Sequence, residues 1–200
     1  MFVSTISPKY HAMKYRDIDS LHKDIWNFFP GRKKNDRSFI FRVSGRGYTV
    51  YSSTEPCSRD GWDIETRSLD LNKVSAGTQL EMRSLLNATV RRFKHDHDIV
   101  LDRIQKLKQT QGSAPSKTEV WDSVWLDWFR RSEKTWGFVV NKLSVGGVVQ
   151  AQTKNHHFNA YDVQGIITVT DPVVFAETTL KGLGDRRDRG CGLMLIKRAQ

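Results

Sequence analysis

The stretch Leu21-His22-Lys23-Asp24-Ile25-Trp26-Asn27-Phe28-Phe29-Pro30 decides how the N-terminal part of this chain folds. Counted from Leu21, its apolar side chains recur at i, i+4, i+7 and i+8, which places them on one face of a helix. Pro30 and Gly31 predict the end of that helix, because proline cannot continue it and glycine is common just after it. Three residues offer a side-chain oxygen to the first turn as an N-cap, namely Asp17, Asp19 and Ser20.

Strand patterns lie on both sides of this helix. Residues 2–10 precede it, and residues 39–51 follow it as a hairpin around the glycine-rich turn at 44–47. Alternating apolar and polar residues at 79–86 predict a further strand. With a second helix expected between residues 59 and 71, this order predicts a ferredoxin-like β-α-β-β-α-β domain.

The second half of the chain shows the same kinds of strand and helix pattern. Its predicted elements, in chain order, are a strand from Thr89, an amphipathic helix at 117–131 with a tryptophan stripe that packs on a sheet, a strand at 165–170, a helix that starts with Asp171-Pro172 and runs to about Leu180, and a strand at 191–196. The predicted fold class is therefore α+β, with two tandem ferredoxin-like (RRM-like) domains at residues 1–88 and 89–200.

The composition is that of a folded, strongly basic protein. Of the 200 residues, 38% are hydrophobic and 27% are charged, which supplies a core and excludes a disordered chain. The 32 Lys and Arg residues exceed the 22 Asp and Glu residues, for a net charge of +10. This charge favours a polyanionic partner, and by itself it does not distinguish nucleic acid from an anionic membrane surface.

Other classes of protein are disfavoured. No run approaches the roughly 18 apolar residues of a membrane span, and the N-terminus has no signal-peptide pattern, so we expect a cytoplasmic protein. Cys57 and Cys191 lie far apart and predict neither a disulfide framework nor a zinc site. The histidines at 95–98 and 156–157 have no zinc-type partner at the usual spacing, so no metal or cofactor is predicted.

Motifs near both ends of the chain carry a family resemblance. Residues 21–30 are followed by Arg37-Ser38-Phe39-Ile40-Phe41-Arg42, and the chain closes with Gly182-Leu183-Gly184, Arg187 and Gly190-Cys191-Gly192-Leu193. In order and spacing, these motifs resemble the CRISPR-associated CasE family of type I-E. Residues 52–164 match the family only in length and general strand order.

The resemblance implies a tandem ferredoxin-like protein that grips an RNA stem-loop. It implies a metal-independent endoribonuclease that cuts precursor CRISPR RNA at the base of the repeat hairpin. Attack of a ribose 2′-hydroxyl on the adjacent phosphate would leave a 2′,3′-cyclic phosphate and a 5′-hydroxyl. The expected partners are CRISPR repeat RNA and, after cleavage, the crRNA together with the other subunits of a Cascade-type effector complex, with no cofactor and no membrane.

His22 is the candidate catalytic residue, because the family's catalytic histidine follows the leucine of the N-terminal motif. An imidazole can donate or accept a proton near neutral pH, which suits general acid or base catalysis. Members of the family commonly carry a tyrosine three residues earlier, where this chain has Asp19. At i−3 on a helix, Asp19 either orients the imidazole or caps the helix.

The C-terminal loop is the second candidate site. Glycines let a backbone approach phosphate and expose its amides, and the loop arginines add positive charge. A tight turn with solvated arginines is the alternative for this loop. A dinucleotide-binding loop is excluded, because Arg187 stands where its third glycine belongs. The predicted RNA-binding residues of the whole chain are Lys34, Arg37, Arg91, Arg92, Gly182, Gly184, Arg186, Arg187, Arg189, Gly190 and Gly192.

Two other functions stay open on the sequence alone. One is a non-catalytic RNA-hairpin-binding subunit of a CRISPR effector, in which the loss of the family's tyrosine has ended cleavage. The other is an unrelated basic nucleic-acid binder whose end motifs match by chance. That binder would show no preference for a CRISPR repeat hairpin over other RNA of the same length.

Overall fold

Two antiparallel four-stranded sheets form the fold, with helices packed against them. The computed structural model describes residues 1–10, 18–31, 38–45, 47–153 and 157–199, with only the backbone of Ile18, Asp19 and Ser44. The strands in these residues are β1 (Phe2–Pro8), β2 (Phe39–Ser44), β3 (Gly47–Ser52), β4 (Trp62–Ser68), β5 (Gln79–Leu86), β6 (Thr89–Arg92), β7 (His95–Asp98), β8 (Phe138–Gln152), β9 (His157–Val169) and β10 (Met194–Arg198). The helices are α1 (Ile18–Trp26), α2 (Ile99–Gln111), α3 (Lys117–Trp136) and α4 (Pro172–Lys181). No helix in this described part of the chain is long and apolar enough to span a membrane.

The first sheet has the strand order β2-β3-β1-β4 and carries α1 on one face. The helix predicted around Leu21 and Ile25 is confirmed, and both side chains are buried. It ends at Trp26, before the predicted stop at Pro30-Gly31, and the two phenylalanines of the following turn are still buried. The hairpin of β2 and β3 is also confirmed.

Strand β4 replaces the second helix that is expected between residues 59 and 71. Trp62 and Ile64 alternate with polar residues, and Ile64 lies opposite Ile6 of β1 in an antiparallel pair. The helix prediction is therefore wrong: Trp62 and Ile64 repeat with the period of a strand, although only these two apolar residues mark it. Within the described residues, the first sheet thus has ferredoxin-like strand pairing with only one of the two usual helices.

Strand β5 belongs to the second sheet, whose order is β10-β5-β9-β8. The strand predicted at residues 79–86 is confirmed, but its assignment to the first sheet is wrong, because it pairs with β9 and β10. Alternation of side chains marks a strand and its buried face without naming its partner. The division of the chain after residue 88 stays a prediction about domains, and the pairing of β5 favours an earlier division.

The second sheet is covered by α3 and α4. Trp125 and Phe129 of α3 are fully buried, and Trp121 and Trp128 pack beside them. This confirms the predicted packing of the tryptophan stripe. Asp171 caps α4 as predicted, because its Oδ1 accepts hydrogen bonds from two amides of the first turn at 3.0 and 3.1 Å.

Between β5 and α3 stand the β6–β7 hairpin and α2, where the sequence predicts only a strand from Thr89. Asp98 ends the hairpin and caps α2, accepting hydrogen bonds from the amides of Val100 at 2.8 Å and Leu101 at 3.1 Å. The Tyr161 hydroxyl also donates to the Asp98 carboxylate, at 3.0 Å. Burial and then the charge of Asp98 raise the pKa of Tyr161. Asp98 thus fixes the base of the hairpin to the core.

The two sheets meet through an apolar contact and an ion-pair cluster. Tyr51 of the first sheet packs with Leu193, just before β10. Asp162 on β9 accepts a hydrogen bond from Arg83 Nε at 3.0 Å, and Arg42 Nη2 from the first sheet lies 3.5 Å from the same carboxylate. The Arg83 hydrogen bond, helped by the charge of Arg42, holds the pKa of Asp162 below its usual value. These contacts hold the two sheets against each other.

Candidate active site

His22 lies on α1 at the edge of the buried helix face. Leu21 and Ile25 beside it are 7% and 0% exposed, and His22 itself is partly exposed. The imidazole Nδ1 lies 2.6 Å from the main-chain oxygen of Asp188, 166 positions further along the chain. Asp188 stands in the glycine-rich loop, which comprises residues 182–192. The structure therefore brings together the two motifs from opposite ends of the chain.

Trp26 contacts the other imidazole nitrogen. Its indole Nε1–H donates to His22 Nε2 at 3.1 Å, from one helical turn away. The two rings meet edge to face with centroids 6.0 Å apart, and Phe39 meets the indole in the same way at 5.1 Å. Trp26 is not among the site residues predicted from the sequence, although its i, i+4 spacing from His22 is a signal.

These two hydrogen bonds define one protonation state of His22. A carbonyl oxygen only accepts a hydrogen bond, so Nδ1 carries the proton. Nε2 accepts a hydrogen bond from the indole, so it carries none. In this tautomer the electron pair of the ring lies on Nε2, where it accepts the hydrogen bond of the indole. A ring held at Nδ1 by a carbonyl can take up a further proton at Nε2, which is the behaviour of a general base.

Asp19, the predicted second catalytic residue, lies one turn before His22 in the backbone of α1. Both ring nitrogens of His22 already have hydrogen-bond partners, Asp188 and Trp26. The geometry therefore does not require an orienting bond from Asp19, whose place in the first turn also suits the positive end of the helix. The catalytic role of Asp19 stays a prediction.

Main-chain hydrogen bonds hold the glycine-rich loop in place. The amides of Leu183, Asp185 and Gly192 donate to main-chain oxygens at 3.0, 2.8 and 2.8 Å. Two of these bonds anchor the loop to the second sheet, one at β5 and one at Asn87 just after it. Since these amides already have partners inside the protein, the tight-turn interpretation accounts for them better than phosphate binding does.

Packing explains three of the four loop glycines. Gly182, Gly184 and Gly192 have φ of +77°, +68° and +87°, in the left-handed region that glycine tolerates best. A Cβ added to any of them would overlap with neighbouring atoms, which are main-chain oxygens for the last two. Gly190 shares the conformation at φ +84°, but the nearest atom to its added Cβ is 3.5 Å away. RNA contact by these glycines stays a prediction.

The three loop arginines differ in their surroundings. Arg186 is exposed, and its guanidinium lies 5.7 Å from the ring centre of a neighbouring phenylalanine. Arg187 Nη1 donates to Lys181 O at 3.1 Å, at the end of α4. Arg189 Nε lies 3.3 Å from Asp188 Oδ2. Of the three, Arg186 is the most open to an anionic ligand.

The β6–β7 hairpin carries the predicted residues Arg91 and Arg92. Arg92 pairs with Asp102 of α2, with Nη2 and Oδ2 3.2 Å apart, and so points toward the helices. The Arg91 side chain is 73% exposed and lies on the other strand face, together with Thr89. The Thr89 hydroxyl donates to Asp185 Oδ2 of the glycine-rich loop at 2.6 Å. The exposed face of the hairpin is therefore continuous with the loop.

An exposed aromatic residue stands at the tip of this hairpin. Phe93 and Lys94 form the turn with φ of +47° and +70°, and Phe93 is 94% exposed. Left-handed residues other than glycine are uncommon, and an exposed aromatic ring beside basic side chains can stack on a base of single-stranded nucleic acid. Phe93 is not among the residues predicted from the sequence, where its signal is an aromatic residue between basic neighbours.

Some predicted residues lie outside the part of the chain that the structure describes. Lys34 and Arg37 fall in residues 32–37, and His156 falls in residues 154–156; both segments are outside the described residues. Within the described ranges, no group of three or more His, Cys, Asp or Glu side chains is arranged to hold a metal ion. Cys191 is buried, and burial raises the pKa of its thiol to about 12, which leaves it unreactive near neutral pH.

A match to a known family covers nearly the whole chain, including both end motifs. The model of the family described as CRISPR associated protein matches residues 1–198. This chain belongs to that family. The match spans both end motifs of this CRISPR-associated protein and confirms the resemblance to CasE that they indicate. No curated protein sequence matches the chain.

Solved structures share the whole fold of this CRISPR-associated protein. Cas6e from Escherichia coli K-12 is 17% identical, with a TM-score of 0.69 and full coverage of both chains. Cse3 from Thermus thermophilus, bound to an RNA representing a pre-cleavage complex, is 14% identical, with a TM-score of 0.76 and 98% coverage of both chains. A chain of a CRISPR RNA-guided surveillance complex is 17% identical, with a TM-score of 0.65 and full coverage of both chains. These likenesses confirm the predicted α+β fold of tandem ferredoxin-like domains.

Proposed function

We propose that this protein is a metal-independent endoribonuclease that cuts precursor CRISPR RNA at the base of the repeat hairpin. It then stays bound to the crRNA within a Cascade-type effector complex. Membership of the CRISPR-associated family supports the RNA-processing role. The likeness to Cse3 in its RNA-bound, pre-cleavage form supports the cleavage step, and the likeness to a chain of the surveillance complex supports the effector partners.

The observation that carries the proposal is the hydrogen bond between His22 Nδ1 and Asp188 O. It holds the imidazole between α1 and the glycine-rich loop and leaves Nε2 as the proton acceptor. Arg186 stands exposed on the same loop. An RNA-cleaving site of this kind needs a base at the 2′-hydroxyl and a cation near the phosphate, and this arrangement offers both.

In the proposed reaction, His22 Nε2 accepts the proton of the ribose 2′-hydroxyl while the 2′-oxygen attacks the adjacent phosphorus. The bond between the phosphorus and the 5′-oxygen breaks, and that oxygen takes up a proton from water or from the protonated imidazole. The products are a 2′,3′-cyclic phosphate and a 5′-hydroxyl. Arg186 stabilises the extra negative charge of the phosphorane. Proton transfer and charge stabilisation are then both supplied by side chains of the protein.

The surface proposed to hold the RNA stem runs from the glycine-rich loop to the β6–β7 hairpin. Arg91 and Lys94 present exposed cations along it, and Phe93 presents its ring at the tip. Phosphate contacts make affinity fall as salt rises, and an aromatic ring can stack on an unpaired base. Lys34 and Arg37 are proposed as further phosphate contacts from their sequence position just after α1.

A non-catalytic RNA-hairpin-binding subunit is the alternative. Asp19 favours it, because the family's tyrosine at this position is missing and with it a second catalytic group. Under the alternative, the RNA surface is kept while His22 transfers no proton. Both functions predict tight and selective binding of the repeat hairpin, so only a cleavage assay separates them.

The test is cleavage of an end-labelled repeat hairpin from the same genome, in EDTA, by the native protein and by His22→Ala. We expect the native protein to cut at one site. The rate of His22→Ala should be lower by about 100- to 10,000-fold, the usual contribution of a general base. Binding of the hairpin, followed in parallel, should be the same for both proteins. A 2′-deoxy nucleotide at the scissile position should abolish cutting and leave binding unchanged.

Each other outcome points to a different conclusion. Tight binding by both proteins without any cutting would establish the RNA-binding subunit, and restoring cleavage with Asp19→Tyr would then identify the missing group. Cutting that stops in EDTA and returns with added metal would contradict the metal-independent reaction. Equal binding of the repeat hairpin and of other RNA of the same length would contradict the proposed substrate.

A further inference from the structure

We propose that Trp26 is a positioning residue that gates His22. In the free protein its indole N–H occupies Nε2, and the ribose 2′-hydroxyl has to displace it before the imidazole can accept a proton. This inference rests on the proposed role of His22 as the general base. It adds a control step that depends on one N–H group of the protein itself.

The geometry places Trp26 in direct competition with the substrate. Nε2 of the neutral imidazole has a single electron pair, and the indole N–H uses it at 3.1 Å. Nδ1 cannot replace it as the base, because Nδ1 carries the proton that reaches Asp188 O. If Nε2 carries a proton and acts as the acid, it is a donor like the indole N–H, and the two groups cannot form a hydrogen bond. The bond from Trp26 is therefore lost whether Nε2 acts as the base or as the acid.

The N–H group of Trp26 is separable from the packing role of its ring. The ring packs on the core of the first sheet and meets Phe39 edge to face, while the N–H donates to His22. Phe39 is held independently, since it also stacks on Phe29 with centroids 4.5 Å apart. Trp26→Phe therefore removes the bond to Nε2 and keeps an aromatic ring in the same place.

Trp62 provides a matched control in the same core. Like Trp26, it is partly buried and packs against the apolar cluster beneath α1. Its ring contacts are Phe28, with centroids 5.1 Å apart, and Tyr48, with centroids 6.1 Å apart. Trp62→Phe thus removes the same atoms from the same cluster without changing a contact of His22.

The first measurement uses the free protein and no RNA. Diethyl pyrocarbonate acylates an imidazole nitrogen that has an available electron pair, and peptide mass spectrometry reports the rate at each histidine. In Trp26→Phe we expect His22 to react roughly two- to tenfold faster, the range for losing one neutral hydrogen bond. The exposed His95 and His97 serve as references within the same molecule. Trp62→Phe should leave the rate at His22 unchanged.

The second measurement is single-turnover cleavage at saturating protein. We expect Trp26→Phe to cut the repeat hairpin roughly two- to tenfold faster than the native protein, with unchanged affinity for RNA. A merely structural role would give the opposite sign, because a loosened core slows the reaction. Slower cleavage by Trp26→Phe, with a thermal midpoint equal to that of Trp62→Phe, would overturn the proposal.

The two measurements separate this inference from the proposed function. If the native protein does not cut RNA, the nuclease function fails, while faster acylation of His22 in Trp26→Phe would still establish that the indole covers Nε2. If the native protein cuts RNA but His22 is acylated equally fast in both proteins, the nuclease stands and the gate is contradicted.

Discussion

The two sheets contribute different parts of the candidate site. The first sheet carries α1, on which His22 and Trp26 contact each other across one helical turn. The second sheet carries the glycine-rich loop and the β6–β7 hairpin, which are joined through Asp185. The imidazole of His22 therefore comes from one half of the chain, while the main-chain oxygen of Asp188 that bonds its Nδ1 and the hairpin proposed to bind RNA come from the other.

This division teaches that the site exists only where the two halves meet. Asp188 O reaches His22 because the glycine-rich loop is anchored to the second sheet at β5 and Asn87. A change in the second half can therefore lower the cleavage rate without touching His22. A change in the hairpin should lower affinity for RNA and leave the geometry at His22 intact.

The largest effect is expected from Gly192→Ala, which tests whether the second half orients the imidazole. Gly192 has φ +87°, and an added Cβ would lie 2.5 Å from Leu183 O, so the loop has to shift. Displacing a catalytic group by about 1 Å costs about 100-fold in rate, and we expect a loss of that order in the cleavage assay. Gly112→Ala is the control, since Gly112 has φ +75° with nothing within 4 Å of its added Cβ. Equal cleavage rates for Gly192→Ala and Gly112→Ala would show that the second half of the chain does not orient the imidazole.

An intermediate effect is expected from Phe93→Ala, which tests the hairpin as an RNA surface. Phe93 is 94% exposed, so its loss should leave the thermal midpoint unchanged. If the ring stacks on a base, affinity for the repeat hairpin should fall about tenfold, while single-turnover cleavage at saturating protein stays the same. Tyr10→Ala removes another aromatic ring, 80% exposed, and serves as the control. A fall in the saturated rate of Phe93→Ala would show that the hairpin also affects the chemistry.

The smallest effect on RNA binding and cleavage is expected from Asp162→Asn, which tests the ion-pair cluster between the sheets through the stability of the fold. Arg83 and then Arg42 lower the pKa of Asp162 in the folded state. Its stabilisation is therefore fully present above the unfolded pKa, about 3.9, and is lost as pH falls through the folded value. Urea unfolding should show Asp162→Asn less stable by about 1 to 3 kcal/mol at pH 7, with the difference shrinking below about pH 4.

The exposed Asp122 on α3 gives the control for this titration, as Asp122→Asn. A difference between native protein and Asp162→Asn that stays constant from pH 7 to pH 3 would show that the lost contact is not ionic. Reduced cleavage by Asp162→Asn at pH 7, with hairpin binding unchanged, would sharpen the comparison by showing that the ion-pair cluster sets the distance between the loop and His22.

Much of the fold could be predicted because many elements are encoded locally. The helix around Leu21, the hairpin of β2 and β3 and the Asp171 cap of α4 all rest on patterns a few residues long. The predictions failed where local pattern was insufficient. The stretch of β4 has too few apolar residues for its period of two to stand out, and the alternation in β5 does not say which sheet it joins.

The sequence by itself determined the helix that carries His22 and the cap of α4, since helix periodicity and caps are properties of short segments. Its end motifs led to His22 through the family resemblance. Only the tertiary structure decided the pairing of β5, the bond from His22 to Asp188 O and the position of the hairpin beside the loop. The physical reason is distance along the chain. The residues around His22 do not indicate a main-chain oxygen 166 positions away as its partner. That contact arises only when both sheets have packed.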